Sequence, residues 1–190
     1  MEQQTKKTYQ VLVVVDMQND FITGTLGNTD CKGVVSSVVK VITEGDYDEI
    51  ILTRDTHGEE YLKTQEGRKL PVMHTVKNTE GWQIQKDVMD SVTENYKQEQ
   101  ITLMDKPSFG SMDLADWIGR LGKEYREDGT LQIDFAGVCT DICVISNVFL
   151  AKAAAPEAAV RVIEHACAGV TKESHRTAIE AMRGCQVDII

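Results

Sequence analysis

The chain has no apolar run long enough to cross a bilayer: nowhere in its 190 residues do about 18 apolar residues follow one another unbroken. A membrane-spanning segment is therefore not expected. Its first stretch, Met1 to Tyr9, is polar and lacks the apolar centre of a secretion signal. Basic residues are scarce, with 20 Lys and Arg against 30 Asp and Glu for a net charge of −10. Nucleic acid and anionic membranes both demand a basic surface, so neither is expected as a partner, and the surplus acid reads as solubilising surface. Cys-x-x-Cys pairs are also missing. The five cysteines, Cys31, Cys139, Cys143, Cys167 and Cys185, are an odd number, which argues against a disulfide frame and for reduced thiols in a cytoplasmic protein. Internal repeats, low-complexity segments and interdomain linkers are not evident, and residues 1–190 are expected to form a single domain.

What the chain does have is a regular alternation. Short β-branched apolar runs at Tyr9–Val15, Glu49–Thr53, Gln100–Met104, Leu131–Gly137, Val160–Glu164 and Gln186–Ile190 alternate with helix-like stretches. The latter lie at Lys32–Thr43, Trp82–Tyr96, Met112–Arg126, Asp141–Ala154 and Lys172–Arg183. Runs without polar alternation, such as Val11–Val15, suit strands buried on both faces of a parallel sheet. The expected fold is α/β: an open, doubly wound, mainly parallel six-stranded sheet with helices on both faces. One connection breaks the pattern. The excursion over residues 54–81 is far longer than ordinary connections, and it carries Asp55, His57, Glu66 and His74.

Ligands of open α/β sheets bind beyond the carboxyl ends of the strands, and these ends can be read directly. The first strand runs into Asp16, the second into Asp55 and His57, the third into Lys106, and the fourth into Gly137–Cys143. A carboxylate at the lip of an apolar strand should have a raised pKa, which suits a general base, although Asp at a strand end is often only a turn cap. Cys143 falls at the start of a helix that Thr140 or Asp141 could cap, where helix amides favour a thiolate, although free cysteines are usually inert and buried. Cys139 lies in the turn before that helix, so its N–H is better placed as an oxyanion donor than its sulfur is for attack. Cys31, Cys167 and Cys185 are expected only to pack, and His165 and His175 to be structural and away from the rim. Asp55, His57, Glu66 and His74 offer two imidazoles and two carboxylates, a donor set for a divalent metal: zinc, manganese or iron.

Taken in order, four segments resemble the isochorismatase-like cysteine hydrolases, the nicotinamidases in particular. They are Asp16-Met17-Gln18-Asn19-Asp20-Phe21, Thr53-Arg54-Asp55-Thr56-His57, Lys106 before an aromatic turn, and Gly137-Val138-Cys139-Thr140-Asp141-Ile142-Cys143-Val144. The resemblance implies a Rossmann-like cysteine hydrolase domain that cleaves a small amide, with Asp16, Lys106 and Cys143 as its triad. It also implies a cis peptide between Val138 and Cys139, and an oxyanion hole from the amides of Cys139 and Cys143. Phe21 and Val138 would contact substrate, and Asp55, His57 and His74, with Glu66, would hold a divalent ion, zinc first. Nicotinamide is the leading substrate, a carbamoyl or ureido amide the second, and a non-catalytic binding member the third reading; a homo-oligomer is expected. The stretch Leu70-Pro71-Val72-Met73-His74 lacks the aromatic residue that nicotinamidases usually carry there.

Overall fold

In the computed structural model the described residues are 8–128 and 130–190. Most of the polar N-terminal stretch, Met1 to Lys7, lies outside them. Six strands form one sheet: β1 (Thr8–Val15), β2 (Glu49–Asp55), β3 (Ile101–Lys106), β4 (Thr130–Val138), β5 (Ala159–Ala168) and β6 (Asp188–Ile189). Their spatial order is β3-β2-β1-β4-β5-β6, and every pairing is parallel. The helices are α1 (Asn19–Ile22), α2 (Thr29–Gly33), α3 (Val35–Glu44), α4 (Gln65–Lys69), α5 (Lys86–Asn95), α6 (Met112–Asp128), α7 (Ile145–Ala154) and α8 (Lys172–Gly184). None of them is long and apolar enough to cross a membrane.

The unbroken apolar run of β1 is explained by burial on both sides. Alternate side chains of a strand point to opposite faces. Val11, Val13 and Val15 pack with Leu114 and Ile118 of α6, Val148 of α7 and Ile179 and Met182 of α8. Leu12 and Val14 pack on the other face with Val38 and Ile42 of α3 and Val88 and Val92 of α5. All five β1 side chains are fully buried, each contributing about 1.5–3 kcal/mol of transfer free energy. Close approach of β4 to β1 requires Gly137: its φ is +120°, and a Cβ there would lie 2.1 Å from the Val15 carbonyl oxygen.

Element boundaries differ from the sequence expectation where side chains take over from the main chain. The helix expected over Lys32–Thr43 is two helices, because Asn28 caps α2 upstream, its Oδ1 accepting the Cys31 N–H at 2.7 Å. The helix expected from Trp82 begins at Lys86, where Gln85 is the cap and accepts the Val88 N–H. Trp82 and Ile84 instead dock on the segment that follows β1. The long excursion contains a 3₁₀ turn at Tyr61–Lys63 and the short helix α4. Strand order reverses between β1 and β4, so the carboxyl ends of these two strands flank the topological switch point where such sheets bind ligands.

Candidate active site

Asp16 ends β1 with a positive φ of 47° and is completely buried. Its carboxylate is held on both oxygens: Oδ1 accepts the Thr53 hydroxyl at 2.6 Å, and Oδ2 lies 2.6 Å from the Lys106 ammonium. Thr53 also accepts the Asp16 N–H, so it orients the carboxylate, a role that sequence reading did not assign to it. Lys106, at the end of β3, is equally buried and donates to the Ser108 carbonyl at 3.0 Å. Its Nζ stands 3.6 Å from Cys143 Sγ and 3.6 Å from Asp55 Oδ1. Three strand ends thus deliver a carboxylate, an ammonium and a thiol to one dry point.

Burial raises the Asp16 carboxyl above the usual carboxylate range, against the pull of Lys106. Burial works to discharge Lys106, but Asp16, Cys143 and Asp55 together keep its pKa above the ordinary lysine value. The Cys143 thiol is pushed well above its usual pKa, first by burial and then by the Asp16 charge, with Lys106 opposing. Burial therefore works against the thiolate that the helix amides were expected to favour.

The helix start is also built differently from the expectation. Cys143 sits in a π-helical turn, Thr140–Val144, and neither Thr140 nor Asp141 caps it. The Thr140 hydroxyl is 2.8 Å from His175 Nδ1, and Asp141 Oδ1 accepts the Val170 N–H. Both side chains are drawn into bonds with α8 and the connection that leads from β5 to it, and His175 joins this turn rather than standing away from it. Buried Asn147 braces the turn: it donates to the carbonyls of Cys143 and Phe109 and accepts the Ser111 N–H. The peptide between Val138 and Cys139 is cis. Val138 itself is corrected as a substrate contact, since its side chain is fully buried in the core behind β4 and does not line the cavity. Cys31 is buried in the core with its Sγ 3.9 Å from the Gly169 carbonyl, and hydrogen bonding to Cys139 draws its pKa down against the effect of burial. Cys167 behaves as expected, its thiol pushed up to about 12 by burial.

Next to the thiol lies a second cluster. Asp55 Oδ2 is 2.9 Å from His57 Nε2 and 3.6 Å from His74 Nε2, and all three residues are buried. Glu66 Oε1 approaches the two imidazoles to 3.6 Å and 4.0 Å, though the tight group is Asp55, His57 and His74. His74 Nδ1 faces the Val72 carbonyl at 2.8 Å, a contact that puts the proton on Nδ1 and turns the Nε2 lone pair toward the cluster. Among the described residues, Asp55 Oδ1 and His57 Nε2 are buried with no hydrogen-bond partner. Donor atoms that converge without bonding one another fit a divalent cation better than a protein-only network. Tyr61, also unassigned from sequence, packs its ring against both imidazoles at 4.4 Å and 4.9 Å. Burial works to raise the Asp55 carboxyl, yet His57, Lys106 and Thr75 hold it below its ordinary value.

A cavity of about 310 Å³ joins the two clusters, reaching Cys143 and Cys139 at one end and Asp55, Glu66 and His74 at the other. Its walls are chiefly apolar. Phe21, edge-on to His74 at 5.7 Å, forms one side, and Phe109 is a second aromatic wall. The sequence signal for Phe109 was present in the turn after Lys106, but nothing in the chain alone shows which way that turn points. Leu26, Asn28, Leu70, Ile142 and Val170 complete the lining, Leu70 belonging to the stretch without an aromatic residue.

The chain matches the model of the isochorismatase domain over residues 10–190. The nicotinamidase/pyrazinamidase of Mycobacterium tuberculosis (strain ATCC 25618 / H37Rv) is 25% identical over 191 residues, covering 95% of this chain and 98% of that protein. Among solved structures, the pyrazinamidase/nicotinamidase from Streptococcus mutans UA159 aligns with a TM-score of 0.78 at 24% identity, over 95% of this chain and 99% of the other. The pyrazinamidase of Pyrococcus horikoshii in complex with zinc aligns with a TM-score of 0.71 at 25% identity, over 95% and 98%.

Proposed function

Because the chain belongs to the isochorismatase domain family, we propose that it is a cysteine-dependent amidase that cleaves nicotinamide to nicotinate and ammonia through a thioester on Cys143. The observation that carries this reading is the buried group of Asp16, Lys106 and Cys143, whose thiol opens on a largely apolar cavity that also reaches a metal-ligand cluster. Relatives named as nicotinamidases and pyrazinamidases support the substrate, as do Phe21 and Phe109, which offer aromatic faces to a flat ring.

In this mechanism Asp16 takes the Cys143 thiol proton as Sγ attacks the amide carbon, forming the S–C bond. Burial raises the Asp16 carboxyl, which makes it a stronger base than a solvated carboxylate. Lys106 holds Asp16 in place and balances the charge as the sulfur develops it. The oxyanion is received by the amides of Cys139 and Cys143. Asp16 returns the proton to the nitrogen, the C–N bond breaks, and ammonia leaves; water, giving up a proton to Asp16, then attacks the thioester carbon, the C–S bond breaks, and Asp16 returns that proton to the sulfur. Asp55, His57 and His74, with Glu66 beside them, would hold a divalent ion, zinc by the donor set, and its Lewis acidity would serve to anchor the ring nitrogen.

Ammonia release from nicotinamide and from benzamide, with and without a chelator, tests the reading. The expected result is zinc-dependent hydrolysis of nicotinamide with benzamide a far poorer substrate, since benzamide has the same amide but no ring nitrogen. Equal rates on the two amides, or full activity after metal removal, would contradict it. Either result would favour a second reading, a carbamoyl or ureido amidase, which the aliphatic wall of Leu26, Leu70 and Val170 accommodates.

A further inference from the structure

The segment after β1, Asp16-Met17-Gln18-Asn19-Asp20-Phe21, contributes Asp16 and Phe21 to the proposed reaction and leaves three polar residues without a role, of which Gln18 and Asp20 reach the ion cluster while the Asn19 side chain bonds Glu80. Gln18 is fully buried, and its amide is spent on main-chain groups. Its Oε1 accepts the Asp55 N–H at 2.7 Å, while its Nε2 donates to the Asp55 carbonyl at 2.8 Å and to the Trp82 carbonyl at 2.9 Å. Both main-chain groups of one residue are thus taken by one side chain.

The sheet explains why that grip is needed. Pairing between β1 and β2 ends at Val14 and Leu52, three residues short of Asp55. On its other side Asp55 is still paired with Lys106 of β3. The Gln18 amide replaces the missing strand and extends the ladder to Asp55. A second fastening lies nearby: Asp20 Oδ2 accepts the N–H of Thr75, the residue after His74, at 2.8 Å. Thr75 has a φ of +43°, and its hydroxyl donates to Asp55 Oδ2 at 2.8 Å. A closed circuit results, running from Gln18 to Asp55, through Thr75 to Asp20, and back along two residues of chain. It fixes the Asp55 carboxylate against the backbone that carries His74.

We propose that Gln18 and Asp20 are positioning residues for the ion site, acting through Asp55 and Thr75 to hold Asp55 and His74 at binding separation. This rests on the reading of Asp55, His57 and His74 as metal ligands. The bland alternative is that both residues only stabilise the fold, and the two roles move different observables. Outer-shell partners of metal ligands typically govern affinity by roughly tenfold to a hundredfold. The thiol end of the site is held chiefly by other contacts, through Thr53, Lys106 and Asn147, and meets the circuit only where Lys106 Nζ stands 3.6 Å from Asp55 Oδ1, so it should respond far less than the ion site.

The test uses the full chain, stripped of metal, with Gln18→Met, which keeps length but removes both hydrogen-bonding functions. Asp20→Ala, at a half-buried position, opens the same circuit from its other end and decides the matter where Gln18→Met does not fold. Zinc affinity is measured by competition with a chromophoric chelator, alongside the rate at which iodoacetamide labels Cys143 and the melting temperature. The expected result is a loss of zinc affinity of roughly tenfold to a hundredfold, with Cys143 labelling within about twofold of the parent. Zinc affinity equal to the parent's in the folded variants would overturn the proposal. So would zinc affinity, labelling and melting temperature all changing together, which is the signature of a structural role. A parent protein that takes up no zinc would overturn the metal reading, and this proposal with it; a parent that binds zinc no better than its variants overturns this proposal alone.

Discussion

Replacing Lys106 by Met would strand a charge in the driest part of the molecule. Lys106 Nζ lies 2.6 Å from Asp16 Oδ2, and neither side chain is exposed. At an effective dielectric of about 20 a pair at that separation attracts by about 6 kcal/mol, part of which offsets the cost of desolvating both ions. Methionine fills the space of the lysine stem, so little packing is lost and the Asp16 anion is left with neutral partners, the Thr53 hydroxyl and the Cys143 thiol. Breaking a buried pair from one side typically costs about 3–5 kcal/mol, and Lys106→Met should lose that much in urea unfolding at neutral pH. The loss should depend on pH with a definite sign. The Asp16 carboxyl is already raised by burial, and removal of the lysine raises it further. A group whose folded pKa is raised contributes stability below its unfolded pKa and loses it as the pH climbs through the folded value. The deficit of Lys106→Met against the parent should therefore be smallest in mild acid and grow toward neutral pH. Asp16→Asn combined with Lys106→Met removes both charges and should recover most of the loss. A Lys106→Met protein as stable as its parent at neutral pH, or a deficit that ignores pH, would refute the buried ion pair.

Two further outcomes follow from the same geometry. Alkylation of Cys143 should rise with pH only above the ordinary thiol range, because burial and Asp16 raise its pKa; Asp16→Asn should speed labelling at neutral pH and Lys106→Met should slow it at least roughly tenfold, since removing the anion and the cation act in opposite directions. Labelling that is equal in both variants would show that neither charge acts on the sulfur. His57→Ala and His74→Ala should each abolish stoichiometric zinc uptake, measured by metal analysis after dialysis, whereas Glu66→Ala, whose oxygen stands 3.6 Å and 4.0 Å from the imidazoles, should weaken it less. A Glu66→Ala protein that loses zinc as completely as His57→Ala would put that carboxylate among the primary ligands.

The architecture was legible wherever one local pattern decided the outcome. Val11–Val15 could only be a strand covered on both faces, and the two core clusters divide its side chains accordingly. The strand ends then placed Asp16, Asp55, Lys106 and Cys143 on one rim before any contact was known. Legibility ended where a long-range bond overrode a local preference. Thr140 and Asp141 carry good capping side chains, but His175 and the Val170 amide, both distant in sequence, claim them. Gln18 stands in the first resembling segment but nothing local assigns it a contact, and Tyr61 lies in no motif; their importance is that they touch residues far along the chain. Val138 was misplaced because sequence gives a residue's position at the rim but not the face of the strand on which its side chain lies.

The most direct test of the whole account is intact-protein mass spectrometry of the zinc-loaded enzyme, acid-quenched during turnover of nicotinamide, with Cys143→Ala and Cys139→Ala in parallel. The parent and Cys139→Ala should each carry a single nicotinoyl group, lost on further incubation and mapped in the parent to Cys143. Cys143→Ala should carry none and release no ammonia. A Cys143→Ala protein that still hydrolyses nicotinamide, or a parent whose adduct maps to Cys139, would contradict the account.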